Sequence, residues 1–283
     1  MADEPLPVPP DGIAPELPDG ATPADLDAVQ ASWEVSLAAL LADWSDIDAG
    51  WKASLAGQVR GHVAASDVVA LSGIHVDSRD GARALEDAMA ALRADAAAGV
   101  VAEALAQDVV VHAGPPDVVW LAAVAQVWAA VLAGFLAASA VREALRVWPA
   151  RQGGDAEGER VAELVAVHLD ELTDAQPRQV LGGALTAAQH DGRVRTALSG
   201  PDAAIYADEV LDTNTCAKCR KINRKWLGNS TSDAAQILAL YPVQGYVECL
   251  GGVRCRGQVV MVWRGGTNWR EWVELPAQRG DQG

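Results

Sequence analysis

The four cysteines of the chain stand as two pairs, Cys216-Ala-Lys-Cys219 and Cys249-Leu-Gly-Gly-Val-Arg-Cys255. A Cys-x-x-Cys on a turn presents two thiolates to one side, and a second pair completes the four-sulfur tetrahedron that Zn²⁺ takes. The 29 residues between the pairs suit a small zinc-ribbon-like domain. Lys218, Arg220 and Arg254 lie beside the thiols and would lower their pKa values, favouring the ligating thiolates. Gly251-Gly252 lets the second loop wind tightly around an ion. Cys216, Cys219, Cys249 and Cys255 are therefore candidate ligands, with structural zinc as the cofactor. The second pair has five intervening residues, more than the two to four usual for zinc, so two structural disulfides or four plain thiols stay open as readings. A thioredoxin-type redox pair lacks the βαβ context and the long following helix that it needs.

A second chemistry is suggested by charge. The net charge is −16, but the segment Arg193 to Arg270 carries eleven Lys/Arg against six Asp/Glu, while Met1 to Trp51 carries eleven acids and no base. An acidic whole argues against a basic nucleic-acid coat. The basic segment is compatible with non-specific DNA contact through Arg220, Lys221, Arg224, Lys225, Arg254 and Arg256, with Trp226 beside them. The plainer reading is a solvated face that balances an acidic body. No enzyme is expected: His-Glu-x-x-His, Gly-x-Ser-x-Gly and the phosphate-loop motif are all missing from the sequence. His62, His75, His112, His168 and His190 stand singly, none near the cysteines in sequence, as surface or satisfied core histidines do.

The elements that must position these residues are mostly helical. Half of the 283 residues are hydrophobic, and 55 alanines against one Phe and three Tyr leave ten Trp to supply bulk. Thr22-Pro23-Ala24-Asp25 reads as a helix start. Leu26, Val29, Trp33, Leu37, Leu40, Trp44, Ile47, Trp51 and Leu55 then form one apolar stripe, the face of an intramolecular bundle or a contact with another chain. Further helical runs are predicted over Arg79 to Asp108, Val118 to Val147, Arg160 to Leu172 and Pro177 to Leu198. Between Val118 and Val141 only Gln126 and Ser139 are polar. That length could span a membrane, but the abundance of Ala and Gly predicts instead a buried central helix. Seven prolines before Asp25, no basic n-region and no apolar h-region predict a solvated arm and no secretory leader.

The fold class expected is mainly α: a helical N-terminal body with a small α+β, four-cysteine, zinc-ribbon-like module at the C-terminal end. The expected organisation is a flexible Pro- and acid-rich arm (1–22), the helical body (23–198), the Cys-rich module (199–270) and a tail (271–283). In the module, Ala204 to Leu211 and Gln258 to Trp263 read as strands, the latter with Val259, Met261 and Trp263 on one buried face.

The run Asp212-Thr-Asn-Thr215-Cys216-Ala-Lys-Cys219, followed by Tyr241-Pro242 and then Arg254-Cys255-Arg256-Gly257, resembles the C-terminal domain of phage Mu F-like head morphogenesis (minor capsid) proteins. The likeness covers about Gly183 to Trp263. It departs where the family carries a His, since Glu248-Cys249 stands there and Cys249 would replace that residue. The resemblance implies a minor structural protein of the virion interior, made in the host cytoplasm, associated with portal or major capsid protein and in contact with packaged DNA. Ala- and Trp-rich composition suits a high-GC actinobacterial phage. Two alternatives are a membrane-active protein ejected with the DNA through Val118 to Val141, and a zinc-ribbon nucleic-acid binder acting outside a particle.

Overall fold

The computed structural model describes residues 7–148, 152–213, 215–242, 246–251 and 257–275. In chain order these form α1 (Leu26–Ala64), α2 (Val68–Leu71), α3 (Arg79–Leu105), α4 (Val118–Val147), α5 (Asp155–Asp170), α6 (Ala175–Ser199), β1 (Ala203–Asp208), α7 (Ala217–Ile222), β2 (Trp226–Asn229), α8 (Ala234–Leu240), β3 (Gln258–Trp263) and α9 (Trp269–Trp272). The fold is mainly α with a small α+β part, as the hydrophobic periodicity predicts.

The chain divides into two compact units, but not at Ser199. One unit gathers the residues up to Ser36, Met89–Asp117 and everything from Gly182 onward; the other holds Leu37–Ala88 and Val118–Leu181. α1, α3 and α6 each contribute one end to either unit, so the expected body-then-module order is replaced by interleaving.

In the all-helical unit, Leu37, Leu40, Trp44, Trp51 and Leu55 of the α1 stripe are buried. Trp44 and Trp51 meet edge to face at 5.4 Å, a favoured aromatic geometry. Gly81 of α3 makes room for them, since a β-carbon there would come within 2.9 Å of both rings. α4 differs from the expected central helix. Leu121, Ala125, Ala129, Leu132 and Leu136 form a buried edge, whereas Val119 is 77% and Val127 59% exposed. Ala123, Gln126, Ala130, Gly134 and Ala138 share the exposed side, which carries no charge over that span. Uniform apolarity could not reveal this, because a helix apolar all round buries whichever face its neighbours happen to reach. α4 is also long and apolar enough to cross a membrane by length and composition.

In the other unit, β2-β1-β3 form an antiparallel sheet with Tyr206 opposite Trp226 and Val260. One face carries Ile205, Ala207, Val259, Met261 and Trp263 against Val100, Ala104, Val194 and Ala197 of α3 and α6. The opposite face carries Tyr206, Trp226, Val260 and Val262 against Trp269, Val273 and Leu17. β3 is thus buried on both faces, not half-buried, which explains why it reads Val-Val-Met-Val-Trp without polar alternation.

The second face is covered because residues 12–21, read from composition as part of a flexible arm, are laid along it. Leu17 is 3% exposed and its N–H donates to the Arg224 carbonyl at 3.0 Å. Proline and acid content forecast the lack of a helix here, but an extended segment can still dock through its carbonyls and one apolar anchor.

Two buried ion pairs tie α3 to α6. Arg93, 3% exposed, donates to Asp191 at 2.7 Å and to the Pro115 carbonyl at 2.7 Å. Arg193, fully buried, forks onto both Glu103 carboxylate oxygens at 2.8 Å and reaches the Val259 carbonyl. Replacing Arg93 with Met leaves Asp191 buried with Arg195 alone, which is 2.5 Å away. The expected cost is about 3 kcal/mol, read as a lowered urea midpoint at unchanged slope.

Candidate metal centre

The first cysteine pair is positioned by the residues that precede it. Thr215 donates its hydroxyl to the Val210 carbonyl at 2.6 Å and receives the Asp212 N–H at 2.8 Å. The Thr215 N–H closes the turn on the Asp212 carbonyl at 3.3 Å. This Asp-x-x-Thr turn delivers Cys216 to the N-cap of α7, where its Sγ accepts the Cys219 N–H at 3.4 Å. Cys219, one helical turn on, points inward and is 3% exposed. The second loop arrives after α8. Tyr246 stacks on Tyr241 at 5.6 Å, and the Cys249 N–H donates to the Tyr246 carbonyl at 2.9 Å. Lys218 pairs with Glu248 at 3.1 Å, tying the two loops together.

These elements bring Cys216, Cys219 and Cys249 together, their ligand atoms all within 4.8 Å of one another. Ligands of a tetrahedral ion with Zn–S of about 2.3 Å sit about 3.8 Å apart, so the three sulfurs could hold a metal ion with small adjustment. Cys255, Arg254 and Arg256 lie outside the described residues.

Burial works to raise the Cys216 thiol. The backbone N–H groups of Cys219, Leu250 and Lys218 outweigh burial and hold the thiol below its ordinary value. Among the described residues the lowering comes chiefly from backbone amides, and the Cys219 side chain adds to it. Gly251 adds an N–H to the Cys249 sulfur at 3.3 Å.

Beside the cysteines lies a buried polar cluster that the sequence did not announce. The Tyr241 hydroxyl donates to Glu209, which is 5% exposed. A β-carbon at Gly257 would fall on the Glu209 carboxylate, so only glycine permits this approach. Burial, with the Glu248 charge, pushes the Tyr246 phenol up to about 12. His190 of α6 lies 6.3 Å from the Tyr241 ring, fully buried, with neither ring nitrogen in a well-formed hydrogen bond among the described residues. Its burial left no mark in the sequence, because it stands between the polar Gln189 and Asp191, which are buried with it.

The candidate DNA-contacting residues are largely engaged within the chain. Arg220 donates to the Thr215 carbonyl at 3.2 Å and to the Asp212 carbonyl, bracing the metal turn. Arg224, with a left-handed φ of 66°, aims its guanidinium at the Leu17, Pro18 and Ala21 carbonyls. Lys225 pairs with Glu16 at 2.8 Å, and Lys221 is exposed on α7. Arg195 pairs with Asp191 and Asp117, and Arg264 with Asp202. Replacing Arg224 with Ala is accordingly expected to loosen residues 12–21 and cost about 1–2 kcal/mol of stability, whatever it does to DNA affinity. Faster proteolysis of that segment at unchanged helical circular dichroism is the check.

Comparison of the chain with protein-family models, with curated proteins and with solved structures finds no match.

Proposed function

We propose that this protein is a minor structural component of a tailed-phage head, acting inside the capsid in association with portal or major capsid protein. In this reading Cys216, Cys219, Cys249 and Cys255 hold a structural zinc ion. The observation that carries it is the turn Asp212 to Cys219, with its Thr215 latch, facing Cys249 across a gap of ligand size. The turn belongs to the run on which the likeness to Mu F-like head proteins rests, and Cys249 stands where that family carries a His. When bound, zinc would cross-link the two loops that carry these cysteines. The residues themselves would orient the thiolates and keep them deprotonated through backbone amides. No catalytic role is assigned to any residue.

DNA contact, if the head interior supplies it, is electrostatic and modest. Arg220 and Lys221 are exposed cations of the first loop, and Arg224, Lys225, Arg254 and Arg256 belong to the same reading. Binding should fall steeply between about 50 and 200 mM salt and show no sequence preference.

The test is assembly. Particles made without the protein should be reduced in number or in DNA delivery, and purified portal should retain the protein on a column. Normal yield and infectivity without it would refute the assignment, as would a turnover reaction catalysed by the pure protein.

The exposed uncharged side of α4 favours a second reading, a membrane-active protein ejected with the DNA. Release of dye from anionic phospholipid vesicles, abolished by Val127→Asp, would select it over the first.

A further inference from the structure

We propose that Cys216 and Cys219 form a redox pair oxidised by hydrogen peroxide, Cys216 taking the attack and Cys219 resolving it into a reversible disulfide. The sulfurs of Cys216, Cys219 and Cys249 lie within 4.8 Å of one another, but they differ in access. Cys216 is partly exposed on its turn, whereas Cys219 is 3% exposed and packs with Ile222 and Leu227 beneath the sheet. A peroxide arriving from solvent therefore meets the first sulfur of the pair and not the second. Cys216 also has fixed donors for a negatively charged sulfur: the Cys219 N–H at 3.4 Å, the Lys218 N–H and, from the second loop, the Leu250 N–H.

The choice of partner follows from where the sulfurs are carried. Cys216 caps α7 in extended backbone, with φ −70° and ψ 159°, and Cys219 stands in the first turn of that helix. Their sulfurs approach within one turn, so side-chain rotation closes the gap to the S–S length of about 2.05 Å. Joining Cys216 to Cys249 would instead draw two loops together. Their spacing is held by the Lys218–Glu248 pair at 3.1 Å, the Tyr241–Tyr246 stack at 5.6 Å and the Val247 N–H on the Leu240 carbonyl at 2.9 Å. Cys249 is itself partly exposed, but it shares its turn with no second cysteine.

The Cys216 thiolate attacks one peroxide oxygen. The O–O bond breaks, the sulfur becomes a sulfenic acid, and the departing hydroxide takes up a proton to leave as water. The Cys219 thiolate then attacks the Cys216 sulfur, the S–O bond breaks, and this hydroxide also leaves as water. The two sulfurs have given up two electrons, and one peroxide has become two waters. The consequence rests on the metal reading above: with two thiolate ligands spent, the ion is given up. A chain made in a reducing cytoplasm and carried out in a particle would register the change of compartment at this pair.

Full-length protein, reduced and loaded with zinc, is titrated with hydrogen peroxide while a zinc-binding dye records free ion. Samples are then alkylated, digested and weighed. Stoichiometric peroxide should release the zinc and link Cys216 to Cys219 in a peptide lighter by two hydrogens, and dithiothreitol with zinc should restore the starting state. Cys219→Ser should stop the reaction at the Cys216 sulfenic acid, which dimedone labels, and Cys216→Ser should lose the disulfide. Cys249→Ser, which leaves the buried position intact, should still form the Cys216–Cys219 disulfide and serves if Cys219→Ser does not fold. A chain that binds no zinc would end the metal reading alone, because the same disulfide map is read on reduced, metal-free protein. A disulfide to Cys249 or Cys255 in place of the Cys216–Cys219 link, or thiols unchanged by excess peroxide, would overturn the proposal.

Discussion

Removing zinc with a chelator at neutral pH is expected to lower the melting temperature by about 8–16 °C, and restoring zinc to reverse the change. An ion present at about a thousand times its dissociation constant stabilises the folded state by about 4 kcal/mol. For domains of this size each kcal/mol moves the midpoint by about 2–4 °C. The effect should be concentrated in the loops that carry Cys216, Cys219 and Cys249, because that part of the chain is short elements joined by turns. Cys219→Ser should cost more than Cys216→Ser, since Cys219 is buried against Ile222 and Leu227 in the core beneath the sheet while Cys216 lies at its margin. Cobalt(II) substituted for zinc gives the check, through the intense ultraviolet band of cobalt–thiolate bonds. Protein purified without chelator that contains no stoichiometric metal, and melts alike with and without it, would remove the metal from the account.

The second large effect is on acid stability. Burial, helped by the positive charge of Arg193 and slightly opposed by the Gly257 backbone, lowers the His190 pKa to about 4 from 6.5. In the unfolded chain the imidazole binds a proton below about pH 6.5, whereas the folded chain refuses it until about pH 4. The unfolded state therefore holds more protons across that window. Stability is fully present above pH 6.5 and is lost as pH falls toward 4, by about 3 kcal/mol in all. Asp208, whose carboxyl is raised by burial, acts in the opposite sense in the carboxylate range. The His190 contribution is accordingly read by difference. Urea unfolding of the protein and of His190→Leu, measured from about pH 7 to 4, should diverge, with the variant giving the flatter curve. Parallel curves would mean that the imidazole is reached by water and protonated in place.

The sequence made the helices legible because spacing by threes and fours is a physical requirement of burying one face, and the α1 stripe with its Trp residues meets that requirement. The cysteine turn was legible for a similar reason: two thiols three residues apart, behind an Asp-x-x-Thr, have few other geometries. What composition concealed was partnership. The segment around Leu17 reads as disorder because its docking uses main-chain groups and a single anchor, neither of which leaves a pattern. α4 reads as a core helix because apolarity records how a face could be used and not what lies against it. His190 reads as either surface or satisfied core because the residues beside it are polar, and Gln189 and Asp191 spend that polarity on the Val29 carbonyl and on Arg93. The division of the chain was hidden for a topological reason, since helices that lend an end to each unit leave no linker between them.

That interleaving has a practical consequence for anyone dissecting the molecule. Cutting the chain near Ser199 to express the cysteine-bearing part would discard Val100, Ala104 and Val194 from beneath the sheet. It would also strand Trp263, whose backbone N–H is received by the Gln107 side chain at 3.1 Å. The fragment would present a raw apolar underside and aggregate. The sound excision runs the other way: Leu37–Ala88 and Val118–Leu181 are two excursions from one frame, each leaving and re-entering it within a helix or at a helix end. A minimal protein would keep the frame and bridge those two gaps with short connectors, so that the piece worth crystallising is discontinuous in the gene.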